Sequence, residues 1–396
     1  MLRMEQKILS IVLSQIKHGT LETTFWDGTK RSFGHGTPQV AVLLRNPVFL
    51  RRAIKNPSLA IGEAYVNGDI EVASPLEDVL KLAELNPLNL GRGSRRSQLR
   101  GLNKNKKSNQ AAFVAHHYDL SNEFYKLWLD PTMNYSCAYF RNPSDSLQTA
   151  QHQKTEHILR KLQLTSDMEL LDIGSGWGHL LVTAAKAYGV RGLGVSLSQE
   201  QVKFSQELAK REGVDNLVTF EYLNYQDIPN TKQFDRIVSV GFFEHVGRDN
   251  LADYFIALNR HLRPGGVSVL HSITHQDESP SDAWIDKYIF PGGYIPSIRE
   301  TTSLIAEHGF QMFDYENLGQ HYSLTIERWW RNYEHNKSKV VKMYNEQFYR
   351  MWRLYLIGAM TAFKTGNASL SQWVFKKGQD PVWPLTREYL YKASTE

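Results

Sequence analysis

Between residues 168 and 274, short apolar runs alternate with longer stretches of helical periodicity. "MELLDIGSGWG" runs into "HLLVTAAKAYG", and "VRGLGVSLS" into "QEQVKFSQELAKREG". "LVTFEYLNY" precedes "FDRIVSVGFFEHVG", and "LADYFIALNRHLRPGG" is stopped by Pro264-Gly265-Gly266 before "VSVLHSIT". Such apolar runs read as buried strands. Strands joined by helices of about ten residues or more are connected by crossovers, which a parallel sheet requires. The expectation is an α/β, doubly wound, Rossmann-like domain occupying 113–396. No internal repeat interrupts it.

A chain of 396 residues is long for one domain, and 41% apolar with 22% charged residues is a globular composition. Residues 1–90 form a smaller, mainly helical unit by pattern. They hold an amphipathic start, a hairpin turning at Asp27-Gly28, and helical runs "PVFLRRAIKN" and "SPLEDVLKLAEL". Between the two units, 91–112 is a basic linker: Arg92, Arg95, Arg96, Arg100, Lys104, Lys106 and Lys107 stand among Gly, Ser and Asn with no acid. Such a tract builds no core. It reads as a solvated hinge or as an arm for an anionic membrane surface, and nothing near it resembles a nucleic-acid-reading motif. The one cysteine, Cys137, excludes an intrachain disulfide. No apolar run is long enough to span a bilayer, and the first residues lack the pattern of a signal peptide. A cytoplasmic protein is expected.

In Asp172-Ile173-Gly174-Ser175-Gly176-Trp177-Gly178, glycines let the backbone pass close beneath a ligand at the end of the first strand. The spacing is neither the dinucleotide G-x-G-x-x-G nor a Walker loop. D-x-G-x-G after a strand, with "FDRIVSV" about 60 residues on, is the arrangement of S-adenosylmethionine-dependent methyltransferases. One departure stands out. The second strand ends Val195-Ser196-Leu197-Ser198, without the acid that usually holds the cofactor ribose, which leaves Gln201 as a candidate for that contact.

"HHYDLSNEFYKLWLDPTMNYSCAYF" (116–140), "LLDIGSGWG", "VGFFEHVG", "VLHSIT" (269–274) and "WIDKYIFPGGYIPS" carry a more specific likeness. Together they resemble the cyclopropane-fatty-acyl-phospholipid synthase family, which includes the mycolic acid cyclopropane synthases. Residues 1–90 are similar, less specifically, to the N-terminal domain of the bacterial phospholipid enzymes. The resemblance implies methylene transfer from S-adenosylmethionine to a cis double bond of an acyl chain. The π electrons take the sulfonium methyl, and a carbocation loses a proton to close the ring. It further implies a bound bicarbonate ion as the base, held by Glu244, His271, Tyr322, the backbone of Cys137, and Ile273. For the cofactor it implies Tyr135 and Ser136 over the methionine end, Gly174 and Gly176 beneath it with Asp172 at the strand end, Ser196, Leu197 and Gln201 after the second strand, and Asn224 and Tyr225 near the adenine. No metal is implied.

Each residue has a plainer reading beside this one. Glu244 and His245 also suit a helix cap, His271 a satisfied core histidine, and Cys137 an inert buried thiol. The aromatic stretch 326–363, with Trp329, Trp330, Tyr333, Phe348, Tyr349, Trp352 and Tyr355, suits a core stripe or the walls of an acyl slot. The implied partner is an unsaturated phospholipid at a membrane surface, approached by a peripherally associated homodimer. Competing readings are a lipid C-methyltransferase leaving a methyl branch without ring closure, a methyltransferase for a small soluble acceptor, and a lipid-binding protein with a decayed site.

Overall fold

The computed structural model describes residues 2–86, 120–378 and 382–391. The basic tract therefore lies outside the described residues. So does the start of the 116–140 motif.

The catalytic unit is built on a seven-stranded sheet. The first five strands are β5 (Glu169–Ile173), β6 (Arg191–Ser196), β7 (Val218–Tyr222), β8 (Phe234–Val240) and β9 (Leu262–Thr274). They lie parallel in the order β7-β6-β5-β8-β9. The chain moves outward from β5 through β6 to β7, then returns to the other side of β5 with β8. That reversal opens a crevice at the carboxyl ends of β5 and β8, the usual ligand position in such sheets. One apolar layer, including Ile158, Leu181 and Val202, covers one face of the sheet, and another, including Phe243, Tyr254 and Leu258, covers the other.

Two further strands extend the sheet. β10 (Phe310–Asn317) and β11 (Ser369–Lys377) continue it as β10-β11-β9, with both new pairings antiparallel. The sequence reading assigned neither. Their buried faces carry Asp314, Ser371, Gln372 and Lys376, so the apolar alternation that marks a strand is diluted by polar side chains. Between them run the helices Gly319–His335, Lys337–Met343 and Glu346–Thr365, as the helical pattern of 326–363 anticipates. The last is started by Asn345, whose side chain accepts from the Phe348 amide. Pro264-Gly265-Gly266 lies inside β9 rather than ahead of it.

The N-terminal unit contains the expected hairpin, β1 (Gly19–Thr24) with β2 (Lys30–His35). The hairpin belongs to a four-stranded sheet, β2-β1-β3-β4, completed by β3 (Gln39–Leu44) and β4 (Ile70–Val72). Helices Leu2–Leu13, Phe49–Ala53, Pro57–Asn67 and Leu76–Leu85 surround it and hold more of the described residues than its strands do, so the unit is mainly helical around a small sheet. It docks on the larger unit through apolar packing, with Tyr65 and Leu76 joining that unit's core cluster, and through polar contacts that include Arg350. That guanidinium lies 4.4 Å from the Tyr65 ring centroid and donates to the Tyr65 and Ile70 carbonyls at 2.7 and 3.1 Å. Lys364 reaches Glu77 at 2.6 Å, and Tyr288 and Lys287 both reach Glu63 at 2.8 Å. Among the described residues no helix is long and apolar enough to cross a membrane.

Candidate active site

The cleft at the end of β5 is lined by Tyr135, Ser136, Asp172, Gly174, Gly176, Ser196, Leu197 and Gln201. Its floor is the glycine turn. Gly174 has φ +79°, and a Cβ there would meet Phe242 at 2.7 Å; Gly176 has φ +55° and faces open space. The backbone is thus free to sit directly under a ligand. On the β6 side, the Ser196 hydroxyl donates to Gln201 Oε1 at 2.9 Å, which holds Gln201 at the start of its helix in place of the absent acid. Asn224 and Tyr225 lie apart from this lining. Asn224 is turned onto its own chain, accepting from the Gln226 amide at 3.0 Å, and Tyr225 is buried against Phe242 and Tyr254.

The roof is the loop carrying Tyr135, Ser136 and Cys137, held by the helix Leu147–Leu162. Gln151 donates to the Ser136 carbonyl at 2.9 Å, while Lys154 Nζ donates to Asn134 Oδ1 and Ser136 Oγ, each at 3.0 Å. Lys154 and Asp172 are both buried and both line the cleft. Burial pushes the Asp172 carboxyl up to about 7, against the pull of Lys154. It pulls the Lys154 ammonium down to about 8, against the nearby acids. Tyr135 joins the cleft to the aromatic helices: its hydroxyl meets that of Tyr355 at 2.7 Å, and its ring packs on Trp128 and Trp329. Trp329, Tyr333, Tyr349, Trp352 and Tyr355 are buried ring against ring in one aromatic cluster, with Trp330 and Phe348 packed against it. That arrangement is the core-stripe reading of 326–363.

A second group gathers beyond the β8 turn. Glu244 sits in a short helical turn, Phe243–His245, and is buried. Its Oε1 accepts from the Ile273 amide at 2.5 Å, while Oε2 meets no partner among the described residues. Burial raises this carboxyl to about 7 against the Ile273 hydrogen bond. His271, two residues earlier on β9, is likewise buried, with its Nε2 unpartnered among the described residues. Its backbone carbonyl accepts from Gly241, tying β9 to the turn that carries Phe242 and His245 into the cofactor cleft. The Tyr322 helix is anchored nearby, since the Leu318 amide donates to Leu370, which pairs with Ile273. Cys137 Sγ lies 3.9 Å from the Leu318 carbonyl. Its thiol is fully buried and pushed up by burial, so it stays neutral, as an inert thiol does. Glu244 and Ile273 are thus in direct contact, His271 lies on the same strand as Ile273, the Tyr322 helix and Cys137 approach through Leu318, and the turn 241–245 links this group to the cleft.

Several residues here carry no motif: Lys154, Lys161, His179 and Gln372. The signal for the two lysines is spacing. They stand two helical turns apart, on the face that also carries Ala150, Ile158 and Leu162, which is the pattern of buried rather than surface lysine. Among the described residues no cluster of His, Cys, Asp and Glu is placed to hold a metal ion.

Comparison with known proteins identifies the family. The family profile "Mycolic acid cyclopropane synthetase" matches residues 105–373, and a domain of unknown function matches 8–89. A probable fatty acid methyltransferase of Pseudomonas putida is 37% identical over 96% of this chain and 98% of its own. The cyclopropane-fatty-acyl-phospholipid synthase of Escherichia coli is 37% identical over 87% and 90%. The cyclopropane synthase MmaA2 from Mycobacterium tuberculosis superposes with a TM-score of 0.64 at 33% identity, covering 67% of this chain and 98% of its own. The mycolic acid cyclopropane synthase CmaA1, solved in complex with SAH and CTAB, gives the same values. With a class I S-adenosylmethionine-dependent methyltransferase fold and these relatives, the chain belongs to the mycolic acid cyclopropane synthetase family.

Proposed function

We propose that this methyltransferase adds a methylene to the cis double bond of unsaturated phospholipid acyl chains and closes a cyclopropane ring, with bicarbonate as the base. The observation that supports the reading is that Glu244 Oε2 and His271 Nε2 are both buried without a partner among the described residues, Glu244 in the turn after β8 and His271 near the end of the neighbouring β9. A buried acceptor and a buried donor left open in this way can be satisfied by an occupant. A carboxylate oxygen that accepts and a ring nitrogen that donates suit a small planar anion with one O–H. The residues fit bicarbonate.

S-adenosylmethionine, when bound, supplies an electrophilic methyl, and bicarbonate, when bound, supplies the base. The protein's part is placement. Gly174 and Gly176 allow close approach, Ser196 and Gln201 offer polar contacts, and Tyr135 and Ser136 close the cleft from above. Glu244 would accept the O–H of the anion, and His271 and Tyr322 would donate to its other oxygens. An alkene is a weak nucleophile, so alignment and exclusion of water carry much of the burden. The aromatic cluster behind Tyr135 keeps that side of the cleft dry. The acceptor is a lipid at a bilayer surface, reached by a peripheral homodimer whose basic tract faces anionic head groups.

The test is incubation with unsaturated phospholipid vesicles and S-adenosylmethionine, with mass spectrometry of the acyl chains. A gain of one CH2 that resists hydrogenation is expected. A plain methyl branch would replace ring closure with the lipid C-methyltransferase reading.

A further inference from the structure

Behind His271 stands a row of buried and half-buried polar groups that the reaction as described does not use. Glu316, Gln372 and His271 occupy directly opposed positions on β10, β11 and β9, forming one cross-strand row. Lys161 lies against the row from the helix Leu147–Leu162, with its side chain fully buried. Its Nζ donates to Glu316 Oε2 at 2.5 Å and to Gln372 Oε1 at 2.7 Å. His157 contacts the same Glu316 oxygen at 2.6 Å. The Gln372 amide nitrogen lies 2.9 Å from His271 Nδ1.

These contacts permit a single set of proton positions. An ammonium only donates, so the oxygen of Gln372 must face Lys161 and its NH2 must face His271. An NH2 also only donates, so His271 Nδ1 must be an acceptor and carries no proton. The ring is neutral, because burial among Lys154, Lys161 and His157 holds its pKa well below the ordinary value. Its one proton is left on Nε2, the atom without a partner among the described residues.

We infer that Gln372, oriented by Lys161, locks His271 in the Nε2–H tautomer, making both of them positioning residues for the anion corner. The role of the locked N–H rests on the reading of His271 given above. The lock also assigns a division of labour. A nitrogen that already bears its proton cannot act as the base, so His271 serves as a fixed donor and proton removal falls to the group it holds.

The test uses the full-length protein labelled with 15N-histidine in bicarbonate-free buffer, with the His271 signals identified by their loss in His271→Asn. The wild type is expected to show a protonated Nε2 and a bare Nδ1. Protonation at Nδ1, or at both nitrogens, overturns the proposal even if neither the Gln372 nor the Lys161 variant folds. Gln372→Met, and the charge-balanced Lys161→Met/Glu316→Gln, are expected to give a mixture of tautomers. Their kcat should fall roughly 10- to 100-fold, with the KM for S-adenosylmethionine within about twofold. Folded variants that keep a pure Nε2–H tautomer would also overturn it. Should the tautomer be as expected while added bicarbonate leaves the His271 signals unmoved, the lock stands and the bicarbonate reading falls.

Discussion

A carboxyl group buried as Glu244 is, with one oxygen on the Ile273 amide and the other unpartnered among the described residues, opposes folding whenever it is ionised. Its folded pKa of about 7 lies above the unfolded value. The native state therefore binds more protons between roughly pH 4 and 7, and stability is full below that window and lost as pH rises through it. Glu244→Gln removes that penalty. In bicarbonate-free buffer its stability at pH 8 should exceed the wild type by on the order of 1–3 kcal/mol, with little difference at pH 4, as urea unfolding at the two pH values will show. The same variant should keep S-adenosylmethionine binding and lose roughly 100-fold or more in kcat. Unchanged turnover would remove Glu244 from the mechanism. At this scale, the sequence itself raises Glu244, which stands just past an apolar strand where charge is costly, while His271 was reached only through the family resemblance. Gln372 was not legible. An amide acquires its meaning here from the lysine and histidine on either side of it, which are 211 and 101 residues away in sequence.

The glycine turn is an element whose two glycines have different duties. Gly174→Ala forces a Cβ against Phe242 in a left-handed backbone and should cost about 1–3 kcal/mol, measured by urea unfolding. Gly176→Ala also has positive φ but meets nothing within 4 Å, so about 1 kcal/mol is expected. Its methyl should instead weaken S-adenosylmethionine binding, read by calorimetry, because it projects where the backbone lies open. Equal destabilisation by the two changes would contradict this separation. The five parallel strands and the helices of 319–365 were legible from periodicity. β10 and β11 were not, because the polar row that supports His271 replaces the apolar alternation that would have marked them.

At the scale of the whole molecule, Arg350 is one of several fastenings between the two units. Its fork meets two carbonyls and an aromatic face at once, a combination Lys cannot reproduce. Arg350→Met should loosen the docking by about 1–3 kcal/mol, seen as faster hydrogen exchange in residues 57–72 with β5, β8 and β9 unchanged. Uniform acceleration across both units would instead mean that they unfold together. If the basic tract touches lipid, replacing Arg92, Arg95 and Arg96 by Gln should weaken binding to anionic vesicles by about 1 kcal/mol per charge, as sedimentation with vesicles will measure. The central position of β11 carries a temporal consequence. Residues 369–377 lie between β9 and β10 in space but follow both in the chain. A polypeptide emerging from the ribosome can lay down the whole methyl-donor crevice while His271 still lacks its backing. On the role proposed for His271, activity then waits for residues 369–377, which also give β10 its pairing to the sheet.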